Sequence, residues 1–274
     1  MTYCIGIKLN AGLVFSSDSR TNAGLDQIST YRKMMIYERP GDRFMVLLSA
    51  GNLSISQSIR ELLQVEKLPN GTGEPITIWS ATSMFDAARV LGNTVRRIAD
   101  HDGPALRQAG VDFNSTMIFG GQIRGEAMRL FLVYAAGNFI EATRETCYFQ
   151  IGESKYGKPV LDRMIVPSTP IDVAAKCALV SMDSTLKSNL SVGLPIDLLV
   201  YKEGSFESQN VVCIDEGNPY FAMVRETWGQ RLRDAFEDIE NPAWDSEPSA
   251  HPLRVTSERY EPLRKITTPE EKIV

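Results

Sequence analysis

Histidine is scarce in this chain. It carries two, His101 within the polar run Ala99-Asp100-His101-Asp102-Gly103 and His251 near the C-terminus. A Ser–His or Cys–His nucleophile pair and a histidine-bearing metal site both need an imidazole on a rigid element, and neither position offers one. The four cysteines, Cys4, Cys147, Cys177 and Cys213, form no CxxC pair and no zinc-ligand spacing. Scattered singly, they suit reduced thiols and a cytoplasmic setting, although an even number also permits disulfides. No GxGxxG turn opens a helix and no phosphate-cradling loop occurs, and Gly120-Gly121 reads as a strand-end turn. No apolar run approaches the roughly 18–20 residues that span a bilayer, and no basic segment followed by an apolar one marks a signal peptide. A net charge of -5 argues against the basic face of a nucleic-acid binder. The expectation is a protein with no cofactor, no metal, no nucleic-acid partner and no membrane contact.

What is present is ordinary globular composition, 43% hydrophobic and 23% charged over 274 residues, enough for a sizeable core without staples. Tyr3, Ile5, Ile7 and Leu9 alternate with Cys4, Gly6 and Lys8, the period of a strand. Asn10-Ala11-Gly12 turns the chain into a second strand ending at Ser17-Asp18. Met34 to Tyr37 and Phe44 to Leu48 read as two more. The period then changes: Ile55, Ile59, Leu62 and Leu63 lie at helical spacing after the candidate caps Asn52 and Ser54. A second apolar stripe follows at Phe85, Ala88, Leu91, Val95 and Ile98. Further strands are predicted at 116–119, 130–134, 139–142 and 148–151, then a short and a long helix. The long one has Val173, Cys177, Val180 and Ser184 on one side. Strands at 196–201 and 210–214 and a helix with Phe221, Val224, Trp228 and Leu232 close the order. Strand runs alternating with helix pairs do not make a parallel βαβ sheet. They suit an α+β, four-layer αββα sandwich of two antiparallel sheets flanked by helices. From Pro242 proline and charge dominate, as in Glu247-Pro248, Glu261-Pro262 and Pro269-Glu270-Glu271. The predicted organisation is one domain over 1–241 and an extended tail over 242–274 that packs on a neighbouring subunit.

With histidine out of play, a nucleophile must bring another base. Thr2, once Met1 is removed, carries a hydroxyl and a free α-amine on one residue. The amine's reference pKa of about 7.7–8.0 leaves a neutral fraction near pH 7 to take the hydroxyl proton, directly or through water. A threonine at position 2 is common by chance. Asp18 and Lys33 raise its interest. A buried Lys33 beside Thr2 would favour an anionic oxygen and lower the amine pKa, and Asp18 would hold that lysine charged and oriented. Taken singly, Lys33 also reads as a solvated strand-end base and Asp18 as a turn residue.

Thr2, an acid 16 residues on and a lysine 15 further resemble the proteasome β-subunit pattern. The resemblance implies that Thr2 is nucleophile, Lys33 its cationic neighbour and Asp18 the carboxylate orienting that lysine. Ser49-Ala50-Gly51-Asn52, between a buried strand and a helix, looks like the family's glycine turn, with the Gly51 N–H facing the oxyanion. The opening Thr2-Tyr3-Cys4, the run Ser17-Asp18-Ser19-Arg20-Thr21-Asn22-Ala23-Gly24 and the C-terminal extension are more particular. They are similar to the Anbu group, bacterial ancestral β-subunit relatives of the proteasome, with its N-terminal-nucleophile (Ntn) hydrolase fold. Two departures stand out. The family's Gly-Ser-Gly turn is Gly152-Glu153-Ser154 here, so Ser154 is a shifted candidate for the supporting serine. The family's acid followed three residues later by serine is Ser188-Asn189-Leu190-Ser191, so Ser191 matches the serine and Ser188 replaces the acid, unless Asp183 or Glu153 substitutes. Only Met1 precedes Thr2, so maturation by self-cleavage is not expected.

The expected function is a proteasome-like threonine peptidase acting on peptide or unfolded-protein substrates within a homo-oligomer, ring or spiral, with the unfoldase partner unspecified. An amidase or acylase using the same N-terminal chemistry, and a non-proteolytic assembly or binding protein keeping the fold, stay open beside it.

Overall fold

The structure is a computed structural model that describes residues 2–22, 28–71, 73–208 and 210–242. The chain divides into two compact units, residues 1–225 and 226–274.

The first unit holds two five-stranded antiparallel sheets. Strands β1 (Tyr3–Leu9), β2 (Gly12–Asp18), β10 (Tyr148–Gly152), β11 (Ile196–Lys202) and β12 (Asn210–Ile214) form one, in the order β10-β1-β2-β11-β12. Strands β5 (Met34–Arg39), β6 (Arg43–Gly51), β7 (Ser115–Ile123), β8 (Arg129–Val133) and β9 (Phe139–Glu141) form the other, in that order. A two-stranded ribbon, β3 (Arg20–Asn22) with β4 (Ile28–Thr30), stands between β2 and β5 in sequence. The strand pattern did not predict this ribbon, whose paired segments are only three residues each. The predicted αββα sandwich of two antiparallel sheets is the observed one.

Three apolar clusters account for the layers. Phe15, Leu13, Leu199 and Tyr201 of the first sheet face Phe44, Val46, Leu48 and Ile118 of the second, and the rings of Phe44 and Tyr201 stack at 4.5 Å. Full burial of one such side chain contributes about 1.5–3 kcal/mol. The outer face of the second sheet packs α1 (Leu53–Leu63) and α2 (Met84–Gln108), through Ile55, Ile59, Leu91, Val95 and Ile98. The outer face of the first sheet packs α3 (Lys158–Met164) and α4 (Ile171–Ser188), together with Phe221 and Val224 of α5 (Pro219–Glu237).

Local chemistry sets the helix starts. The Asn52 side chain accepts the Ser54 N–H at 3.0 Å, and the Ser83 hydroxyl accepts the Asp86 N–H at the same distance. Ser54, the other candidate cap, is already inside α1. Some positions differ from the sequence patterns. Phe85 is half-exposed and sits against Phe139 at the sheet margin, while Met84 and Ala87 take the buried side of α2. The reason is the breadth of the stripe: a helix on a sheet buries more than one residue per turn. His101 lies within α2, which continues through Pro104 to Gln108. The carbonyl that Pro104 cannot serve belongs to Asp100, which is exposed and open to water. In α4 Cys177 and Val180 of the predicted side are buried and Val173 and Ser184 are half-buried, but the buried face is wider, adding Ala174, Ala178, Leu179, Ser181, Met182, Asp183 and Thr185. Small residues there let the helix approach the sheet closely.

The second unit contains the last turns of α5, where Leu232 and Phe236 are exposed, and the exposed Ile239 just beyond them. The predicted tail lies outside the described residues apart from Pro242. Among the described residues no helix is long and apolar enough to cross a membrane.

Candidate active site

The β3–β4 ribbon brings Asp18 and Lys33 together. Asp18 ends β2 and the chain leaves into the ribbon at Ser19. It returns with the Tyr31 N–H donating to the Ser19 carbonyl at 2.7 Å, so residues 18 and 33 flank a pinched hairpin base. The Lys33 Nζ lies 2.7 Å from Asp18 Oδ1 and donates to the Arg20 carbonyl at 2.7 Å. Both side chains are buried, Lys33 to 4% exposure and Asp18 to 0%. Burial pushes the Asp18 carboxyl above the ordinary carboxylate range, opposed by the Lys33 charge, by its hydrogen bond and by the Tyr3 N–H.

Thr2 joins this pair through its neighbour. The backbone N–H of Tyr3 donates to the same Asp18 Oδ1 at 2.8 Å. On its other side Thr2 is fixed by its carbonyl, which accepts the Glu153 N–H at 2.7 Å. Glu153 follows Gly152, the register partner of Tyr3 at the end of β10. Gly152 has φ +80, and a Cβ placed there would stand 1.8 Å from the Thr2 oxygen. The close approach of that turn to Thr2 therefore requires glycine.

Ser154 sits in the same turn. Its N–H donates to the Gly152 carbonyl at 2.9 Å and its own carbonyl accepts the Lys158 N–H at 3.0 Å. Gly51 ends β6, with φ +119 and its backbone against Asn114. The Ser49 N–H, two residues earlier, donates to the Lys33 carbonyl at 3.3 Å, and the Asn52 N–H donates to Asn114 on the opposite side, at 2.9 Å. Strand alternation thus leaves the Gly51 N–H on the Lys33 side of β6. Ser191 lies in the loop between α4 and β11, and its hydroxyl donates to Asn189 Oδ1 at 2.6 Å. The loop leans on the residues after Asp18. The Arg20 guanidinium donates to the Leu190 carbonyl at 3.1 Å, and the Ser19 hydroxyl donates to the Pro195 carbonyl at 2.7 Å.

Ser188, where the family pattern has an acid, is exposed at the end of α4. Asp183 is engaged elsewhere: its Oδ1 accepts from Arg225 Nε at 2.8 Å, joining α4 to α5. Glu153 keeps its carboxylate 3.8 Å from Lys155 while its N–H serves Thr2.

Solved structures were found with this architecture. Anbu, the ancestral β-subunit, from Yersinia bercovieri is 48% identical over 89% of this chain and 100% of its own, with a TM-score of 0.81. Anbu from Hyphomicrobium sp. strain MC1 is 44% identical over 87% of this chain and 98% of its own, with a TM-score of 0.78. The chain belongs to the Anbu family. A helical assembly of the Anbu complex from Pseudomonas aeruginosa matches at 41% identity over 91% of this chain and 100% of its own, with a TM-score of 0.79. No protein-family model and no curated protein matches the chain. As an Anbu protein it is of the proteasome type and has the Ntn-hydrolase fold.

Sequence reasoning missed three contacts of this candidate site. Tyr3 supplies a backbone donor to Asp18, Arg20 ties the ribbon to the 189–195 loop, and Gly152 gives way to the Thr2 carbonyl. All three residues stand in runs the sequence analysis singled out, Thr2-Tyr3-Cys4, Ser17-Asp18-Ser19-Arg20 and Gly152-Glu153-Ser154, but nothing in those runs gave them these contacts.

Proposed function

We propose that this Anbu protein is a threonine-type peptidase whose nucleophile is Thr2 after removal of Met1. The observation that supports it is the buried Lys33–Asp18 pair at 2.7 Å, whose carboxylate also holds the residue joined to Thr2. In the proposed reaction the Thr2 hydroxyl oxygen attacks the substrate carbonyl and its proton passes to the α-amine, directly or through one water. The Lys33 charge stabilises the developing negative oxygen, and the Gly51 N–H donates to the oxyanion. Collapse breaks the peptide C–N bond, the leaving amine takes the proton from the α-amine, and a Thr2 ester remains. Water then cleaves the ester and restores the hydroxyl. Ser154 and Ser191 are proposed as supporting hydroxyls at the turn and loop that border Thr2 and Asp18.

The proposed substrate is a peptide or unfolded protein. A homo-oligomer, ring or spiral, would shelter an N-terminal nucleophile from folded proteins, and the helical assembly of the Pseudomonas aeruginosa relative supports that arrangement for this chain.

The test is intact mass after treatment with a mechanism-based threonine probe. A single adduct, lost in Thr2→Ala, is expected. No adduct on a chain proved to begin at Thr2 would remove the hydrolase reading. The non-proteolytic assembly reading would then stand, favoured by the exposed Ser188 and by the engagement of Asp183 with Arg225.

A further inference from the structure

We propose that Tyr3 is a positioning residue: its buried phenol locks the turn carrying Glu153 and Ser154 to the start of β1, next to Thr2, so that the nucleophile is held from both sides. The proposal rests on the reading of Thr2 as nucleophile.

The Tyr3 side chain is fully buried on the helix-facing side of the first sheet, among the residues that pack α4. A phenol sealed in an apolar layer needs partners. Its oxygen lies 2.6 Å from Ser181 Oγ of α4, and Gln150 Nε2 donates to it. Ser181 Oγ in turn donates to the Gly157 carbonyl at 3.0 Å.

The directions of these bonds are fixed by proton count. A carbonyl can only accept, so the single Ser181 hydroxyl proton lies on Gly157. The bond between Ser181 and Tyr3 must then use the phenol proton. The phenol lone pair receives the Gln150 amide, which also reaches the Ser154 carbonyl at 3.4 Å. The result is a one-way chain from Gln150 through Tyr3 and Ser181 to Gly157. Burial raises the phenol pKa, opposed by its two side-chain hydrogen bonds, so the phenol keeps the proton the chain requires.

Both ends of this chain lie in the 150–157 segment. Gln150 is on β10, Gly157 opens α3, and between them sits the Glu153 N–H that holds the Thr2 carbonyl at 2.7 Å. Tyr3 therefore grips the segment with its side chain while its N–H grips Asp18 at 2.8 Å. As the proposed N-terminal nucleophile, Thr2 is placed by these two attachments. Displacement of a reacting group by 1 Å can lower a rate about a hundredfold. Neither the phenol nor Ser181 is assigned to the reacting atoms, so both act through Thr2 and its turn.

The experiment uses the full chain, trimmed at Thr2, in wild-type form and as Tyr3→Phe, Ser181→Ala and the double variant. Turnover of a fluorogenic peptide and hydrogen exchange of the Glu153 amide are measured beside thermal unfolding. Tyr3→Phe keeps the ring in place. It is expected to lower kcat about ten- to hundredfold, with KM within about twofold, and to speed Glu153 exchange about tenfold. Ser181→Ala is expected to change both in the same direction, and the double variant to fall no further than Tyr3→Phe, because one chain is already broken. Wild-type kcat and unchanged Glu153 exchange in Tyr3→Phe would overturn the proposal. So would a lowered Tm with kcat of the folded protein intact, which is what packing alone predicts. Should Tyr3→Phe fail to fold, Ser181→Ala decides by the same two readouts. Absence of turnover and of probe adduct in the wild type would sink the peptidase reading, while the Glu153 exchange would still decide the role of Tyr3.

Discussion

The ammonium of Lys33 and the carboxylate of Asp18 lie 2.7 Å apart with 4% and 0% of their side chains exposed. A buried ion pair is held against its desolvation only while both members are present. Asp18→Asn or Lys33→Met alone should destabilise the fold by about 3–5 kcal/mol, because each strands a buried polar partner. The double variant should be far less destabilised than the sum. Urea unfolding of the four proteins measures this coupling, and additive effects would show that the pair is not coupled.

Acidification should act on this pair earlier than on an exposed aspartate. Burial raises the Asp18 carboxyl above 3.8, with the Lys33 charge and the Tyr3 N–H opposing the rise. A raised folded-state pKa means that the group's stability contribution is complete below the unfolded value and is lost as pH rises through the folded value. Catalysis as proposed needs the ionised form, so activity and this stability contribution run in opposite directions across that window. The α-amine gives kcat/KM a first acid limb, held below the amine's ordinary range by the nearby Lys33 charge. Asp18 should add a second, steepening the profile toward a slope of two above pH 3.8. A profile that keeps a slope of one down to that pH would count against the assignment.

Gly152→Ala should be worse than its backbone angle alone explains. Gly152 (φ +80) and Gly125 (φ +85) both have left-handed backbone, but a Cβ on Gly125 meets open space and one on Gly152 meets the Thr2 oxygen. Gly125→Ala should cost about 1–2 kcal/mol of strain and leave probe labelling of Thr2 unchanged. Gly152→Ala should cost more and suppress the labelling. Equal effects of the two on labelling would mean that the Thr2 contact is not limiting.

Thiol chemistry should separate the cysteines. Cys213 is exposed, while Cys4, Cys147 and Cys177 are buried, and all four are free. Burial pushes the Cys177 thiol up to about 11, which suppresses the reactive thiolate further. A disulfide-exchange reagent should titrate Cys213 in the folded chain and the remaining thiols only in denaturant. Rapid native reaction of Cys4 would show that the space between the sheets opens readily.

The tail should matter to assembly rather than to the fold. Its Trp244, Leu253, Val255, Tyr260, Leu263, Ile266 and Ile273 are spaced among prolines and charges, a pattern that gains most against a neighbour's surface. Light scattering should give a large assembly for the full chain and a smaller one for a chain ending at Asn241. Identical assemblies would remove the tail's role, and a monomeric full chain at micromolar concentration would remove the oligomer.

Much of this was legible in the sequence because it is local. Period-two alternation in Tyr3 to Leu9 and helical spacing in Ile55 to Leu63 report on neighbours a few residues away, and they gave the sandwich its element order. Asp18 and Lys33 were legible as a pair through the spacing that resembles the proteasome β-subunit pattern, and not through the ribbon that joins them, whose three-residue strands left no periodicity to read. Tertiary structure alone decided the rest. The Tyr3 phenol meets Ser181 across a separation of 178 residues, Asp183 is taken by Arg225 across 42, and Phe85 slides to the sheet margin while Met84 goes inside. Such contacts follow from how layers are stacked and rotated against one another. Periodicity records which face of an element is apolar, and it carries no information about which distant residue that face will meet.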